Sequence, residues 1–287
     1  MHFVDAKALL TRQNGMNLYR GCAHGCIYCD SRSRCYQFTH AFEDIEVKRN
    51  APALLEEILQ KRRRRIVIST GSMNDPYQPC EKELQLTRRC LELIERYGFG
   101  ASVITKSDLV LRDLELFDRI HHSAKGVLQM TLTVADDDLS RILEPSVCTT
   151  TRRYEVLKEF QRAGIPTVVW MTPILPFLTD TEENVRRILD YCFDAGVKGI
   201  ICFGMGLTLR RGNREYFYEA LDRHFPGLSG EYRRRYGNAY EIPSPNAASL
   251  FKLFHAECEK HGVLHDPDEC FRFIAELPEQ TDQLSLF

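Results

Sequence analysis

Short apolar runs rich in β-branched residues recur through the first 206 residues: MNLYRG (16–21), RIVISTG (65–71), ASVIT (101–105), GVLQMTLTV (126–134), IPTVVWMTPI (165–174) and VKGIICFGMG (197–206). Continuous apolar strands of this length are the habit of parallel sheets covered on both faces. Between them the apolar positions switch to helical spacing. In APALLEEILQK (51–61), Leu54, Leu55, Ile58 and Leu59 share one face behind Asn50 as a cap. ELQLTRRCLELIERYG stops at Gly98, LVLRDLELFDRIHH follows Ser107 and Asp108, and TTTRRYEVLKEFQRAG and TEENVRRILDYCFDAG both close on Ala-Gly. One strand plus one helix repeats about every 30 to 40 residues, the scale of a βαβ unit. Six such units predict an α/β fold: a partial (β/α)6 TIM-type barrel over residues 1–206.

After residue 206 the rhythm breaks. GLTLRRGN reads as loop, REYFYEALDRHF as helix, LSGEYRRRYGNAYEIPSPN as turn-rich, and NAASLFKLFHAECEKHG as helix. A short helix begins at Asp266-Pro267, a cap followed by proline in the first turn. Residues 207–277 are therefore expected to form a mainly helical extension, and 278–287 an exposed tail.

Composition narrows the reading. With 44% hydrophobic and 27% charged residues the chain has ordinary globular usage, and a net charge of −2 confines any nucleic-acid binding to a local patch. No stretch of about 18 apolar residues occurs, and the first residues lack a signal-peptide core. The expectation is a cytoplasmic protein whose 11 cysteines stay reduced, as ligands, catalytic groups or small hydrophobes.

Three of those cysteines are clustered. In CAHGCIYCD, Cys22, Cys26 and Cys29 are spaced C-x3-C-x2-C directly after the first strand, at the mouth where a β/α barrel places its chemistry. A closed zinc site needs four ligands, and His24 or Cys35 offers a fourth. The alternative is a [4Fe–4S] cluster held by three thiolates, with one iron open to an outside ligand.

The triplet, with Tyr28 before its last cysteine, resembles the C-x3-C-x-aromatic-C hallmark of the radical S-adenosylmethionine (SAM) enzymes. The segments NLYRGCAHGCIYC, GSMNDPYQPCE (71–81), TKSDLVLRD (105–113), LEPS (143–146) and AGIPTVVWMTPILP (163–176) are similar to the branch containing spore photoproduct lyase and its photolyase-like relatives. This likeness spans residues 16–206. It implies a [4Fe–4S] cluster on Cys22, Cys26 and Cys29, with SAM on the open iron. An external electron donor such as flavodoxin or ferredoxin would drive cleavage to a 5′-deoxyadenosyl radical, which takes a hydrogen atom from the substrate. SAM-binding candidates are Tyr28 near the adenine, and Ser72, Met73 and Asn74 after the second strand, in place of the usual Gly-Gly-Glu. Thr105 and Lys106 suit the carboxylate, and Thr131 and Thr133, on one strand face, suit the ribose. Glu144-Pro145 fits the family pattern without an assignable role. Spore photoproduct lyase returns a hydrogen atom through a cysteine near the end of its second strand. Here that region reads Ser69-Thr70-Gly71-Ser72, so Cys80, Cys202 and Cys35 are the remaining, weaker thiol candidates.

Two features bear on the substrate. Tyr232 and Tyr236 flank Arg233, Arg234 and Arg235 in a stretch expected to be loop-rich, with Arg210, Arg211 and Arg214 nearby; arginine with aromatics suits single-stranded or flipped bases. KRRRR (61–65) instead ends a helix, where cations complement the dipole. The last five residues, QLSLF, resemble the pentapeptide that docks bacterial polymerases and repair proteins on the DNA sliding clamp. Gln283 would hydrogen-bond, and Leu284, Leu286 and Phe287 would fill an apolar pocket. The leading expectation is a radical SAM enzyme on damaged or modified DNA. The alternatives are RNA, peptide or metabolite substrates, or a non-enzymatic zinc module associated with replication.

Overall fold

The computed structural model describes residues 1–71 and 73–278. Six strands form one all-parallel sheet in unbroken sequence order: β1 (Gly15–Met16), β2 (Val67–Thr70), β3 (Gly100–Thr105), β4 (Gly126–Thr131), β5 (Thr167–Trp170) and β6 (Gly199–Ile201). Five helices alternate with them: α1 (Ala51–Lys61), α2 (Leu86–Arg96), α3 (Leu114–Ser123), α4 (Thr150–Arg162) and α5 (Glu182–Asp194). This is the partial barrel that the pattern predicts. Ala101, Val103, Leu128, Met130, Val169 and Ile200 face outward into the main core beneath the helices. Each such buried aliphatic side chain contributes about 1.5–3 kcal/mol, Ala101 less. The alternate residues Val127, Val168 and Ile201 point the other way, into the barrel.

Four further helices follow: α6 (Asn213–His224), α7 (Leu228–Tyr236), α8 (Ala247–His261) and α9 (Pro267–Ala275). They pack back on the barrel at both of its ends. Cys270 and Ile274 of α9 join Val127, Val168 and Ile201, filling the interior at the N-terminal end of the strands. Lys125 fixes this plug by donating to the carbonyls of Phe273 and Glu276, the latter at 2.7 Å. As expected, Asp266 caps α9, its carboxylate accepting the Glu269 N–H at 3.1 Å. With one end stoppered, the C-terminal ends of the strands are left to carry the site.

Four local expectations are corrected. The run 16–21 is shared between two sheets. Met16 pairs with Thr70 in the barrel, whereas Tyr19–Arg20 pairs antiparallel with Glu46–Lys48, which in turn pairs parallel with His2–Val4. Period-2 apolarity cannot tell one sheet from two; after the change of sheet the Tyr19 hydroxyl donates to the buried Glu81 carboxylate. Asn50 does not cap α1, because its side chain pairs with the backbone of Ala6, accepting at 2.8 Å and donating at 2.9 Å. Part of GLTLRRGN is a strand, Gly206–Thr208, paired antiparallel with Glu241–Pro243. Finally, YRRRYG is helical, within α7. Among the described residues no helix is long and apolar enough to cross a membrane.

Candidate active site

A cavity of about 980 Å³ opens at the C-terminal ends of the strands. The register sets Thr70 beside Val103, Thr105 beside Met130 and Thr131 beside Trp170, so the strand ends form one rim. Cys22, Cys26, Tyr28 and Cys29 reach the cavity from the loop after β1, Met73 and Asn74 from the loop after β2. Thr105 and Lys106 enter at the end of β3, and Thr131 at the end of β4. Thr133 is fully buried and does not line the cavity, since the chain has already left β4. Ser72 lies outside the described residues. Gly71 permits the turn into that loop: at φ +93° a Cβ would stand 2.3 Å from the Ile104 carbonyl oxygen.

Asp75, which follows Asn74 in the loop after β2, joins these loops. Its buried carboxylate accepts from the Thr105 hydroxyl at 2.7 Å, and from the backbone N–H of Tyr77 and of Lys106, both at 2.8 Å. His24 Nε2 stands 3.1 Å from it, tying the cysteine loop to β3. Burial alone would raise the Asp75 pKa, but the neighbouring His24 and the donated hydrogen bonds outweigh it and hold the carboxyl at about 2. Thr105 thus buttresses Asp75 with its proton. Asn74 likewise directs its amide to the Tyr19 carbonyl, at 2.6 Å, and braces the loop.

A second buried set supports Tyr28. The Tyr28 hydroxyl donates to Glu144, whose other oxygen pairs with Arg153. Arg153 also donates to the carbonyls of Thr131 and Cys148, each at 3.0 Å. Glu144 therefore acquires the role that the sequence left open, and Arg153, hidden among the exposed arginines of a helix pattern, is its partner. Lys106 Nζ lies 5.9 Å from the centre of the Tyr28 ring. Burial opposes its charge, but Cys26, Glu144 and Asp75 raise its pKa, so it is a fixed cation facing the cavity.

Burial pushes the Cys22 thiol up to about 12 and raises that of Cys26 as well. Bound iron would reverse that preference, because the metal charge favours the thiolate that coordinates it. Neither proposed fourth zinc ligand turns toward the three thiols. His24 has Nε2 at Asp75 and Nδ1 3.2 Å from the Ser146 carbonyl oxygen, and Cys35 accepts from Arg210 at 3.3 Å on the exposed side. Three thiols at one wall of an open cavity fit a cluster with a vacant iron and not a closed zinc site.

The sequence matches the radical SAM superfamily over residues 16–192. The chain belongs to that superfamily. A protein of Mycobacterium tuberculosis, itself uncharacterised, is 31% identical over 251 residues, which is 84% of this chain and 72% of that protein. An uncharacterised protein of Methanocaldococcus jannaschii is 33% identical over 169 residues, 58% of this chain and 62% of its own. Among solved structures, a spore photoproduct lyase variant with bound AdoMet and dinucleoside spore photoproduct matches with a TM-score of 0.62 at 15% identity. The match covers 87% of this chain and 74% of that one, and it is a likeness of fold. The protein is thus a radical SAM enzyme, with a [4Fe–4S] cluster and SAM as cofactors. Together, bound and reduced, they supply a 5′-deoxyadenosyl radical.

Not every residue singled out from the sequence reaches the cavity. Cys202 is buried in the outer core with its thiol pushed up to about 11, and Cys80 packs half-buried against the same core. Neither they nor Cys35 line the cavity. On α7 the i, i+4 spacing turns Tyr232 and Tyr236 inward: Tyr232 is fully buried and donates to the Pro176 carbonyl at 2.7 Å, Tyr236 to that of Pro243 at 2.7 Å. Arg233 lies over the Tyr218 ring, Arg234 pairs with Glu231, and Arg235 lies near the Tyr236 ring. Arg214 donates to the carbonyls of Leu209 and residues 237–239. The Arg211 carbonyl accepts from Arg34. Arg210 does approach the rim, 3.7 Å from the cavity-lining Asp30.

The sequence reading also passed over an aromatic wall. Trp170, Phe203 and Phe251 line the same cavity. Trp170 is oriented by its indole N–H on Gln129 Oε1 at 2.7 Å, while Gln129 donates to Ser102 at 2.7 Å. Phe203 meets Trp170 with ring centres 5.8 Å apart and Phe271 at 6.1 Å, yet remains 58% exposed.

Proposed function

We propose that this radical SAM enzyme acts on a damaged or modified base in DNA. The observation that carries the reading is the aromatic wall: Trp170 and Phe203 line one cavity with the cluster cysteines, and Phe203 stays exposed. At about 980 Å³ the cavity lies at the upper end of the range for one drug-sized ligand, leaving room for a base beside SAM. A base must leave the stack to meet a buried radical source, and exposed aromatics receive such bases. The shared fold with spore photoproduct lyase supports the same class of substrate. Arg210 at the rim would face the phosphates.

The test is product analysis with cluster-loaded protein, SAM and reductant on irradiated, alkylated and undamaged oligonucleotides. An altered nucleotide is expected from a damaged substrate only. Phe203→Ala should raise the KM for that oligonucleotide by about 5- to 150-fold, because stacking on an aromatic is worth roughly 1–3 kcal/mol per base. Equal 5′-deoxyadenosine release with all three substrates, and no changed nucleotide, would remove DNA from consideration.

Recruitment by the sliding clamp rests on the terminal QLSLF alone; Gln283, Leu284, Leu286 and Phe287 lie outside the described residues. The immobilised clamp should retain the full chain and lose a chain ending at residue 282. Equal retention of both rules the tail out as the docking element.

A further inference from the structure

We propose that His2, His40 and Glu46 bind a divalent transition-metal ion, zinc fitting best, at a site separate from the cluster cysteines. One ligand atom from each of these residues lies within 4.8 Å of the others. The fold assembles them from distant sequence. His2 and Glu46 are register partners on adjacent parallel strands, so their side chains share a face, and His40 arrives from the loop before the second strand.

Each imidazole is already oriented as a ligand. His2 Nδ1 is held by Asp44 Oδ2 at 3.0 Å, and His40 Nδ1 by the Ala41 carbonyl at 2.9 Å. Such outer partners fix the tautomer and leave the other nitrogen as a bare donor. For His40 that nitrogen is Nε2, which is buried, has no hydrogen-bond partner and stands 3.8 Å from Glu46 Oε2. Two cations beside Glu46 are anchored elsewhere: Arg20, its register partner, donates to the carbonyls of Tyr36 and Gln37, and Lys48 to that of Asn17.

The donor set selects the ion. Two imidazoles and one carboxylate suit zinc and its neighbours, whereas calcium and magnesium prefer all-oxygen shells. A tetrahedral zinc with ligands at about 2.1 Å draws them about 3.4 Å apart, within reach of side-chain rotation here. Side-chain exposures of 39% for His2, 16% for His40 and 20% for Glu46 leave one side open to solvent for a water ligand. The ion would clamp the N-terminal strand to the 40–46 loop. That loop backs the cluster, since the Phe42 carbonyl accepts the Cys22 N–H at 3.3 Å.

The test uses cluster-loaded protein under anaerobic conditions, titrated with zinc chloride against a chromophoric chelator. One zinc per chain is expected beyond the cluster iron. His40→Ala and Glu46→Gln should each weaken its binding at least tenfold while iron content and far-ultraviolet circular dichroism stay unchanged. Zinc should also raise the melting temperature of the unaltered protein and not of either variant. Glu46→Gln keeps the shape of the side chain and decides the matter should His40→Ala fail to fold. Absence of bound zinc beyond the cluster, or zinc binding that Glu46→Gln retains in full, overturns the site.

Discussion

Cys26→Ala is expected to give a folded protein that carries no iron–sulfur cluster and cleaves no SAM. Cys26 is the most buried of the three thiols, and Lys106 and Glu144 both act on it electrostatically. Removing it takes away one of three anchors for the cluster and leaves the surrounding packing almost unchanged. Loss of one small buried sulfur should cost on the order of 1 kcal/mol of stability. Activity should fall by far more, at least roughly a thousandfold, which corresponds to about 4 kcal/mol on the barrier. Iron should drop from about four atoms per chain to a trace in anaerobically loaded samples. The measurements are iron and sulfide content, circular dichroism and 5′-deoxyadenosine release under reduction. A variant that unfolds would instead assign the triplet to a structural metal, since structural zinc sites contribute folding energy outright. Full iron content with normal turnover would show that Cys26 is not a ligand.

The parts of this molecule that were legible in its sequence share one property: they are written locally. The barrel strands appear as β-branched runs and the helices as one-sided stripes. Gly164 and Gly196 end α4 and α5 in the left-handed region, as their Ala-Gly endings predict. The cysteine triplet is local too. What escaped notice depends on partners far apart in the chain. Asp75 looks like a turn residue until Thr105 and His24 fold against it, and Arg153 looks like one more helix arginine until Glu144 meets it. Trp170 and Phe203 belong to strand ends whose apolarity reads as core, although one face borders the cavity. The YRRRY run reads as loop and not as helix for a related reason. Its tyrosines look exposed beside three arginines, but helical spacing carries them to the opposite face.

Arg153→Met should destabilise the protein by about 3–5 kcal/mol, the cost of leaving a buried carboxylate without its partner. Both side chains of the Glu144–Arg153 pair are fully buried, and the pair holds Tyr28 against the cavity. Burial by itself would raise the Glu144 pKa, but Arg153 and Lys106 more than offset it, so the folded carboxyl lies below its ordinary value. The sign of the pH dependence follows. The pair stabilises fully above the unfolded pKa of about 4.3, and that stability is lost as pH falls through the lower, folded value. In Arg153→Met the preference reverses: Glu144 then favours protonation, and part of the lost stability should return on acidification toward pH 5. Glu144→Gln combined with Arg153→Met should recover more than half of the loss, because no buried carboxylate is left without its guanidinium. The measurement is a double-mutant cycle from urea denaturation at pH 7 and pH 5. Additive single effects would show that the two side chains stabilise the fold independently. Coupling of several kcal/mol would show that the Glu144 carboxylate holding the Tyr28 hydroxyl depends on Arg153. In that case the single variants should also bind SAM more weakly at temperatures where they remain folded.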